Sequence, residues 1–266
     1  AVCTRKNGAS VTVASKKTII ASGGFDSSKE LKAKYLPGFE NVGTSSPVGN
    51  VGDGLIMAEA VGADIYSTGA ANIAIFNANT NVGLFNENGL IVGQDGKRFT
   101  NEYDCSASIT ADLLATGQKN CYFIVDDKNL LDGIKTAVER GVEKEFASIE
   151  DIAAEYGMDA EVLKATVDRY NQMCAAGRDD DFGKAPEMLV SIDSGKYYCI
   201  PMIPMAVTGI FTGVVTDVDT HVLNVDGERI PNLYAAGEVM AADMSYKEYA
   251  GCGTFVNIAI TFGRIA

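Results

Sequence analysis

Residues 18–28 read Thr-Ile-Ile-Ala-Ser-Gly-Gly-Phe-Asp-Ser-Ser, an apolar run that stops at two glycines. The run at 18–21 predicts a buried strand. Gly23 and Gly24 predict the turn that ends it, and the polar residues 26–28 offer N-caps to a helix near 28–35. A buried strand, a glycine turn and a helix N-terminus together suit phosphate or nucleotide binding, although an ordinary strand–helix turn has the same pattern.

The segments on either side of this turn continue an α/β pattern. Val11 and Val13 alternate with polar residues and predict a strand before it. After it, residues 38–51 are rich in Gly, Ser, Asn and Pro and predict a loop. Gly52-Asp53-Gly54 then opens an apolar helix that continues to Val61, and an aspartate at such a position is usually a helix cap.

The middle of the chain, from about 66 to 195, has an α+β pattern. Helical spacing of Leu163, Val167, Tyr170 and Cys174 predicts the core face of a helix. The other elements predicted here are irregular strands and loops at 76–93, a hairpin turn at 96–99, a helix at 105–116, a strand at 121–125, helices at 148–156 and 159–176, and a solvated charged loop at 178–181.

After residue 197 the chain returns to strands and ends in an apolar helix. The predicted strands are 197–203, 213–216, 221–224 and 232–236, and the helix follows a glycine cluster at 253–266. The fold class is therefore α/β at both ends with an α+β insertion between them. We predict that residues 1–65 and 199–266 form one body and that residues 66–198 form a separate one.

Composition excludes several kinds of partner. The chain has 266 residues, of which 47% are hydrophobic and 21% charged, which suits one large folded domain or two modest ones. The formal net charge of −13 disfavours nucleic acid and anionic membrane surfaces. No apolar run reaches the roughly 18 residues of a transmembrane segment, since the longest, at 197–207, contains two prolines.

The six cysteines predict thiols rather than a metal centre. No pair has C-x-x-C spacing, which argues against zinc, iron–sulfur and c-type haem sites. A chain of this length does not need disulfides for stability. Reduced, buried thiols favour the cytoplasm slightly over the periplasm.

Five ordered segments carry a family resemblance. They are Ile19-Ile20-Ala21-Ser22-Gly23-Gly24-Phe25, Gly52-Asp53-Gly54, Asp95-Gly96-Lys97-Arg98-Phe99-Thr100-Asn101-Glu102, Asn232-Leu233-Tyr234-Ala235-Ala236-Gly237-Glu238-Val239 and Thr261-Phe262-Gly263-Arg264-Ile265-Ala266. In this order they resemble the FAD-binding flavoprotein family of fumarate reductase, flavocytochrome c and 3-ketosteroid dehydrogenase, over essentially the whole chain.

This resemblance implies an incomplete Rossmann-like FAD-binding domain with an inserted α+β capping domain. The family's G-x-G-x-x-G loop, which holds the pyrophosphate, is not present in the sequence and is expected before residue 1. The chain is therefore expected to be a C-terminal piece that is inactive on its own. FAD would be the cofactor of the full-length protein and would bind this piece weakly or not at all.

The resemblance also implies which residues contact FAD. Asp53 would contact the cofactor, and Glu238 would accept hydrogen bonds from ribityl hydroxyls. The N-terminus of the last helix would face the flavin N1–C2=O2 edge and stabilise the anionic reduced flavin. The complete set of implied cofactor residues is Ser22, Gly23, Gly24, Asp53, Gly237, Glu238, Thr254, Phe255 and Val256.

The sequence departs from fumarate reductases where a dicarboxylate would be clamped. The family's arginines fall near Ser106 and near Ala250 in this sequence, so neither is present. The single histidine, His221, lies in a hairpin away from every motif, which predicts a surface role. Of the cations, only Lys247 stands near the segment before the last helix.

The segment 246–253, Tyr-Lys-Glu-Tyr-Ala-Gly-Cys-Gly, is similar instead to the Tyr-Pro-Gly-x-Gly stretch of ketosteroid dehydrogenases, with Ala250 in place of proline. The resemblance implies that the Tyr249 hydroxyl and the Gly253 N–H polarise a substrate ketone. Tyr103 would be the proton donor or base from the cap. For both tyrosines, an aromatic packing role stays open.

These resemblances imply hydride transfer between flavin N5 and a C–C bond next to a carbonyl, in an enone or a ketosteroid-like substrate. One alternative is a fumarate reductase or flavocytochrome c-type subunit, and another is a non-catalytic fragment or scaffold. An electron-donor protein or domain would be a partner of the enzyme forms.

Overall fold

The computed structural model describes residues 2–84, 88–246, 249–251 and 253–266. The strands are β1 (Val2–Thr4), β2 (Ser10–Thr12), β3 (Thr18–Ile20), β4 (Gly43–Thr44), β5 (Ile65–Asn77), β6 (Val82–Gly83), β7 (Leu90–Gly93), β8 (Cys121–Asp126), β9 (Glu145–Phe146), β10 (Tyr197–Val214), β11 (His221–Leu223) and β12 (Arg229–Ala235). The helices are α1 (Lys29–Tyr35), α2 (Asp53–Glu59), α3 (Ser106–Ala115), α4 (Asp132–Glu139), α5 (Ile149–Tyr156), α6 (Ala160–Ala176), α7 (Ala242–Ser245) and α8 (Thr254–Ile265), with 3-10 turns at Pro186–Met188 and Glu238–Met240.

A three-stranded sheet joins the two ends of the chain in the order β11-β12-β3. The pairing of β12 with β3 is parallel, with Ala235 opposite Ile20. The strands predicted at 18–21 and 232–236 therefore lie in one sheet, and the predicted helix after the glycine turn is confirmed as α1. Its N-cap is Ser28, whose Oγ accepts a hydrogen bond from the backbone nitrogen of Leu31 at 3.2 Å.

A seven-stranded sheet occupies the middle, in the order β6-β5-β10-β8-β7, with β4 and β9 also paired to β10. The sequence predicted separate strands at 197–203 and 213–216, and this is wrong, because β10 is continuous over 18 residues. Pro204 is accommodated where the β8 pairing has already ended at Met202 and where the register with β5 shifts. A strand tolerates a missing N–H at such a bulge or free edge.

The irregular strands and loops predicted from Phe76 to Gly93 agree with the described part of this region. Strand β5 runs on to Asn77, β6 pairs with its end, and β7 occupies the last four residues of the region. Residues 85–87 lie outside the described part of the chain. The turn predicted at 96–99 is confirmed by hydrogen bonds from the nitrogen of Gly96 to the oxygen of Gly93 and from the nitrogen of Gly93 to the oxygen of Lys97.

Three groups of apolar side chains form the main cores. The first surrounds β3, α1, α2 and the second half of β10, and it includes Ile20, Phe25, Ile210 and Ala235. The others pack β7, β8 and the first part of β10 against α3, α5 and α6. The domain division at 65 and 198 stays a proposal, since both boundaries lie at the beginning of β5 and β10, which contribute to more than one core.

Helices α3, α5 and α6 of the middle region agree with the prediction, whereas α4 was not predicted. Helices α5 and α6 begin after the caps Ser148 and Asp159 and end at glycines in the left-handed region. On α6 the fully buried face includes Met173 instead of Cys174, which is half-buried. None of the eight helices in the described part of the chain has the length and apolar character that a bilayer crossing requires.

The charged segment 178–181 is exposed at three of its positions, as the sequence predicted, but Asp179 is buried. The side chain of Asp179 is fully buried and accepts hydrogen bonds from Arg98 at 2.9 and 2.7 Å. The same guanidinium donates to Glu102 at 2.7 and 2.8 Å. Lys184 completes the network, with its Nζ 3.3 Å from Glu102. The aspartate is thus a structural partner of the turn that carries Arg98.

Candidate active site

The glycine turn after β3 is closed by the carboxylate of Glu238. The nitrogen of Gly24 donates to Oε2 at 3.0 Å, and the nitrogen of Ile210 on β10 donates to Oε1 at 2.9 Å. A Cβ atom on Gly24 would lie 2.8 Å from Oε1, and one on Gly23 would lie 2.9 Å from Asn50 Oδ1. These glycines therefore make room for side chains of the protein itself, and both carboxylate oxygens of Glu238 accept hydrogen bonds from the backbone.

The half-buried carboxylate of Glu238 lies near the carboxylate of Asp26. Burial, and after it the nearby charge of Asp26, together raise the pKa of Glu238 to about 7, against the lowering effect of the two N–H groups. Asp26 is itself fully buried, and burial raises its pKa while Asn50, which donates to Oδ2, lowers it. The sequence analysis considered Asp26 only as a helix cap. Its position directly after Gly23-Gly24-Phe25 is the one sequence feature that could have indicated a place beside the glycine turn.

Asp53 lies beside the glycine turn and is exposed. The N-cap of α2 is Gly52, with φ of 85°, and no side chain caps the helix, so the capping alternative for Asp53 is not supported. Among the described residues, Asp53 has no hydrogen-bond partner. A Cβ on Gly54 would fall 2.0 Å from Ser22 Oγ, which shows how closely the start of α2 approaches the turn. The structure thus brings Ser22 and Asp53 together.

The last helix presents its N-terminus next to an aromatic cluster. The ring of Tyr249 meets Phe255 edge-on at 5.2 Å between centroids, and Phe255 meets Phe211 in the same way at 5.9 Å. Gly209 admits Phe255, because a Cβ there would lie 2.4 Å from the ring. The Tyr249 hydroxyl has no hydrogen-bond partner among the described residues, so this part of the chain leaves it free for a ligand.

The helix N-terminus also offers free donors. Gly253 is the N-cap of the 12-residue α8, with φ of 92°. Thr254 donates its backbone N–H to Gly251 at 3.2 Å and its hydroxyl to the same oxygen at 2.8 Å. The N–H groups of Gly253 and Phe255 have no acceptor within the described ranges. Such a terminus suits an anion or a polarised carbonyl.

The remaining implied cofactor residues lie around the same helix. Val256, in its first turn, is exposed. Gly237 has φ of 80°, and a Cβ on it would lie 3.5 Å from the Cβ of Ala259 on α8. The segment that carries Glu238 is therefore in contact with the helix whose N-terminus the sequence predicted to face the flavin.

Tyr103 is half-buried in the loop before α3, where its nitrogen donates to Asn101 Oδ1 at 3.0 Å. The residue that reaches the Tyr249 cluster from this loop is Cys105. Its neighbour Ser106 takes part in a polar group that the sequence did not predict. Ser106 Oγ donates to Asn72 Oδ1 at 2.5 Å, and Asn72 Nδ2 donates to Thr208 Oγ1 at 2.9 Å.

His221 is closer to a motif than the sequence predicted. It pairs with Tyr234 across β11 and β12, and the two rings lie 4.6 Å apart. Its Nδ1 lies 3.3 Å from Asp217 Oδ1, and Arg229 Nε lies 2.6 Å from Oδ2 of the same aspartate. Asp219, which also contacts Arg229 at 3.2 Å, completes a group whose negative charge is partly compensated by this arginine.

Lys247 is the cation that the sequence places nearest to a possible dicarboxylate site. It lies outside the described residues, as does Cys252. Arg98, the arginine of the motif at 95–102, is fully committed to Glu102 and Asp179.

Comparison with known proteins gives a consistent set of relatives. The family model described as FAD binding domain matches residues 1–256. The chain is 31% identical over 255 residues to a fumarate reductase (cytochrome) of Shewanella frigidimarina, covering 93% of this chain and 44% of that protein.

Two solved structures are also similar. The crystal structure of 3-ketosteroid delta1-dehydrogenase from Sterolibacterium denitrificans in complex with 1,4-androstadiene-3,17-dione has a TM-score of 0.80 and 26% identity, over 100% of this chain and 55% of that one. The open conformation of a flavocytochrome c3 fumarate reductase has a TM-score of 0.57 and 26% identity, over 94% and 45%. The chain thus spans about half the length of the relatives it matches.

Proposed function

This chain belongs to the FAD binding domain family, and on that premise we propose that the whole protein is an FAD-dependent oxidoreductase acting on a C–C bond next to a carbonyl. The observation that carries the proposal is the free hydroxyl of Tyr249 beside the free N–H groups at the start of α8. A hydroxyl and a backbone N–H that converge on one oxygen stabilise the charge that develops there during reaction.

The residues present fit FAD as the cofactor. The N–H group of Phe255 lacks an acceptor among the described residues, and Asp53 is exposed beside the glycine turn. These groups, with Ser22, would hold the cofactor, and the helix dipole would favour negative charge at the flavin edge. When bound, FAD would supply or accept the hydride at N5. Without a G-x-G-x-x-G loop in the sequence, we propose that residues 1–266 alone bind FAD weakly.

The protein's own groups have separable tasks in this proposal. Tyr249 and Gly253 would hold the substrate carbonyl oxygen, and Phe255 would fix the Tyr249 ring by its edge-on contact. Tyr103 would handle the proton from the cap side. The direction of the reaction, reduction or desaturation, depends on the electron partner, for which we propose a donor protein or domain.

A substitution at Tyr249 tests this assignment in the intact protein. Tyr249→Phe should lower kcat/KM on an enone by about 10² while leaving FAD binding unchanged, since one transition-state donor is lost. Tyr197→Phe, in a half-buried ring of the cap region, is the matched control and should leave turnover as it was. If Tyr249→Phe turns the enone over as fast as the wild-type protein does, the ketosteroid-like interpretation is wrong and Tyr103 becomes the candidate for the oxyanion role.

The alternative is a fumarate reductase or flavocytochrome c-type subunit, which the relatives also support. A dicarboxylate needs two or more cations, and burying one unpaired charge costs several kcal/mol. In the described part of the chain, polar Ser106 and Asn72 lie where the resemblance expects an arginine. Fumarate should therefore reoxidise the reduced flavin slowly or not at all compared with 2-cyclohexen-1-one. If fumarate proves the better substrate, the alternative is correct.

A non-catalytic scaffold is the remaining alternative, and flavin absorbance of the intact protein separates it from both enzymes.

For the compartment, we propose a slight preference for the cytoplasm over the periplasm. It rests on thiols, since the five described cysteines are free. Burial raises the pKa of Cys121 to about 12 and also raises that of Cys199, which makes both unreactive.

A further inference from the structure

Asn72, Ser106 and Thr208 form a hydrogen-bonded polar triad where β5 and β10 meet the start of α3. Ser106 Oγ donates to Asn72 Oδ1 at 2.5 Å, and Asn72 Nδ2 donates to Thr208 Oγ1 at 2.9 Å. Thr208 Oγ1 in turn donates to the main-chain oxygen of Asn72 at 3.0 Å. Because the hydroxyl hydrogen of Thr208 is used in that bond, Thr208 accepts from the asparagine amide, and the amide oxygen faces Ser106.

Strand pairing places the polar triad on the same face of the sheet as Phe255. Asn72 is paired with Gly209, and residues directly opposite each other in an antiparallel pair share a face. A Cβ on Gly209 would lie 2.4 Å from the Phe255 ring, so that ring covers this face. The register shifts between Val207 and Gly209, and a shift of this kind can re-aim a side chain. The residue at the shift is Thr208, whose hydroxyl meets the Asn72 amide.

Helix α3 provides a second link between the polar triad and the Tyr249 cluster. Ser106 is the first residue of α3 and is buried. Its chain neighbours Cys105 and Ala107 both pack in the cluster that contains Tyr249. The polar triad therefore lies next to the aromatic side chains beside which we place the substrate carbonyl.

The polar triad keeps both donor and acceptor capacity for a ligand. The second N–H of the Asn72 amide has no acceptor in the described part of the chain, and the hydroxyl oxygens of Thr208 and Ser106 each keep an unused lone pair. Asn72 is half-buried and Thr208 is exposed, so a ligand can reach these atoms. A hydroxyl group both donates and accepts and therefore matches the triad. A carboxylate would lose its hydration there, and none of the three side chains carries a positive charge to replace it.

We propose that the polar triad is a specificity site that binds a hydroxyl group of the substrate, at the end remote from the carbonyl held by Tyr249. This inference rests on the proposed function, because the carbonyl fixes the other end of the substrate. Phe255 contacts Tyr249 and also the strand residue opposite Asn72, so the two polar contacts lie about one ring apart. In a six-membered cyclic enone, this separation corresponds to a hydroxyl on the ring carbon opposite the carbonyl.

Three cyclic enones that differ only at the carbon opposite the carbonyl test the inference in the intact, FAD-loaded protein. They are 2-cyclohexen-1-one, 4-hydroxy-2-cyclohexen-1-one and 4-oxo-2-cyclohexene-1-carboxylate, which carry hydrogen, hydroxyl and carboxylate there. Binding to the oxidised protein is measured by calorimetry, and turnover by anaerobic reoxidation of the reduced flavin. The hydroxylated enone should bind about fivefold or more tightly than 2-cyclohexen-1-one, and the carboxylate should bind more weakly than either.

A substitution in the polar triad should remove this preference. Asn72→Asp removes the free N–H but keeps the size of the side chain and an acceptor for Ser106. It should raise the Kd and KM of the hydroxylated enone about fivefold or more, and change kcat and the binding of 2-cyclohexen-1-one by less than about twofold, because the triad is remote from the reacting atoms. Asn120→Asp makes the same change at an exposed residue and should alter neither. Thr208→Val, which removes an exposed hydroxyl, should also reduce the preference and repeats the test if Asn72→Asp does not fold.

The outcomes separate this inference from the proposed function. The inference is wrong if none of the enones binds, if all three bind alike, or if the carboxylate binds best. It is also wrong if Asn72→Asp weakens the binding of both uncharged enones equally, which would indicate a structural role. If the hydroxylated enone binds in an Asn72-dependent way but is not turned over, the specificity site stands and the proposed reaction fails. If Tyr249→Phe slows turnover of 2-cyclohexen-1-one but the hydroxyl group has no effect on binding, the proposed function stands and this inference fails.

Discussion

The Oε2 atom of Glu238 lies 3.0 Å from the backbone nitrogen of Gly24, a residue 214 positions earlier in the chain. This contact ties the glycine turn after β3 to the segment that follows β12. A third partner, the nitrogen of Ile210 on β10, binds the other carboxylate oxygen. One side chain therefore holds together three segments that the sequence separates widely.

A methyl group at Gly24 should break this arrangement. In Gly24→Ala the new Cβ would lie 2.8 Å from Glu238 Oε1, so the carboxylate would have to move away from its donors. We expect a loss of about 1–3 kcal/mol in the free energy of unfolding, measured by chemical denaturation. Gly49→Ala is the control, because nothing lies within 4 Å of its Cβ position. Equal stability of the two variants would contradict the proposed role of the contact.

The stability of the flavin-free protein should fall as the pH rises from about 4.5 to about 7. The pKa of Glu238 is raised from 4.5 to about 7, so the folded state keeps a proton that the unfolded state has lost in this window. The difference corresponds to about 3 kcal/mol. Asp26, whose pKa burial also raises, contributes a slope of the same sign.

The variant Glu238→Gln imitates the protonated carboxyl and should flatten this slope. Denaturation curves collected between pH 5 and pH 8 give the comparison. Glu139→Gln, at the exposed end of α4, should keep the wild-type slope. If Glu238→Gln keeps the wild-type dependence of stability on pH, Asp26 and not Glu238 causes that dependence.

Neighbouring aspartates should differ greatly in their importance for stability. Asp179→Ala removes a buried partner of Arg98 and should cost about 3–5 kcal/mol, since the guanidinium is left partly uncompensated. Asp180→Ala removes an exposed partner of Arg178 and should cost less than about 1 kcal/mol. Urea denaturation of both variants measures the difference, and similar losses would show that the buried network adds little.

FAD retention should depend on more than residues 1–266. We expect the intact protein to purify with a flavin absorbance band, and residues 1–266 expressed alone to retain much less than one FAD per chain. The reason is that the sequence has donors for the flavin end at α8 but no glycine-rich loop for the pyrophosphate. Stoichiometric FAD on the isolated 266-residue chain would contradict this expectation.

Local signals predicted the helices well. Ser28, Ser148 and Asp159 identify helix starts because capping involves residues only two or three positions apart. Most of β5 was missed and β10 was predicted as two separate strands, because glycine, asparagine and proline interrupt their apolar patterns. Their pairing partners, which the sequence does not reveal, make those interruptions tolerable.

The site was less predictable than the fold. The resemblance implied that Ser22, Asp53 and Glu238 serve one cofactor, and the structure places Ser22 next to the start of α2 and Glu238 against Gly24. The cluster of charges around Asp179 suggested solvent exposure, whereas its burial depends on Arg98, which is 81 positions away. The proximity of Asp26 to Glu238 joins residues that lie even further apart in the sequence.

The long pairing of β5 with β10 has a mechanical consequence. The two strands are matched from Ile65 and Val214 at one end to Phe76 and Ile203 at the other, and β10 then continues into the β8 pairing. A hydrogen-bonded ribbon, unlike a flexible peptide hinge, resists bending and transmits torsion. Heating should therefore melt the cores on both sides of this ribbon in a single cooperative transition.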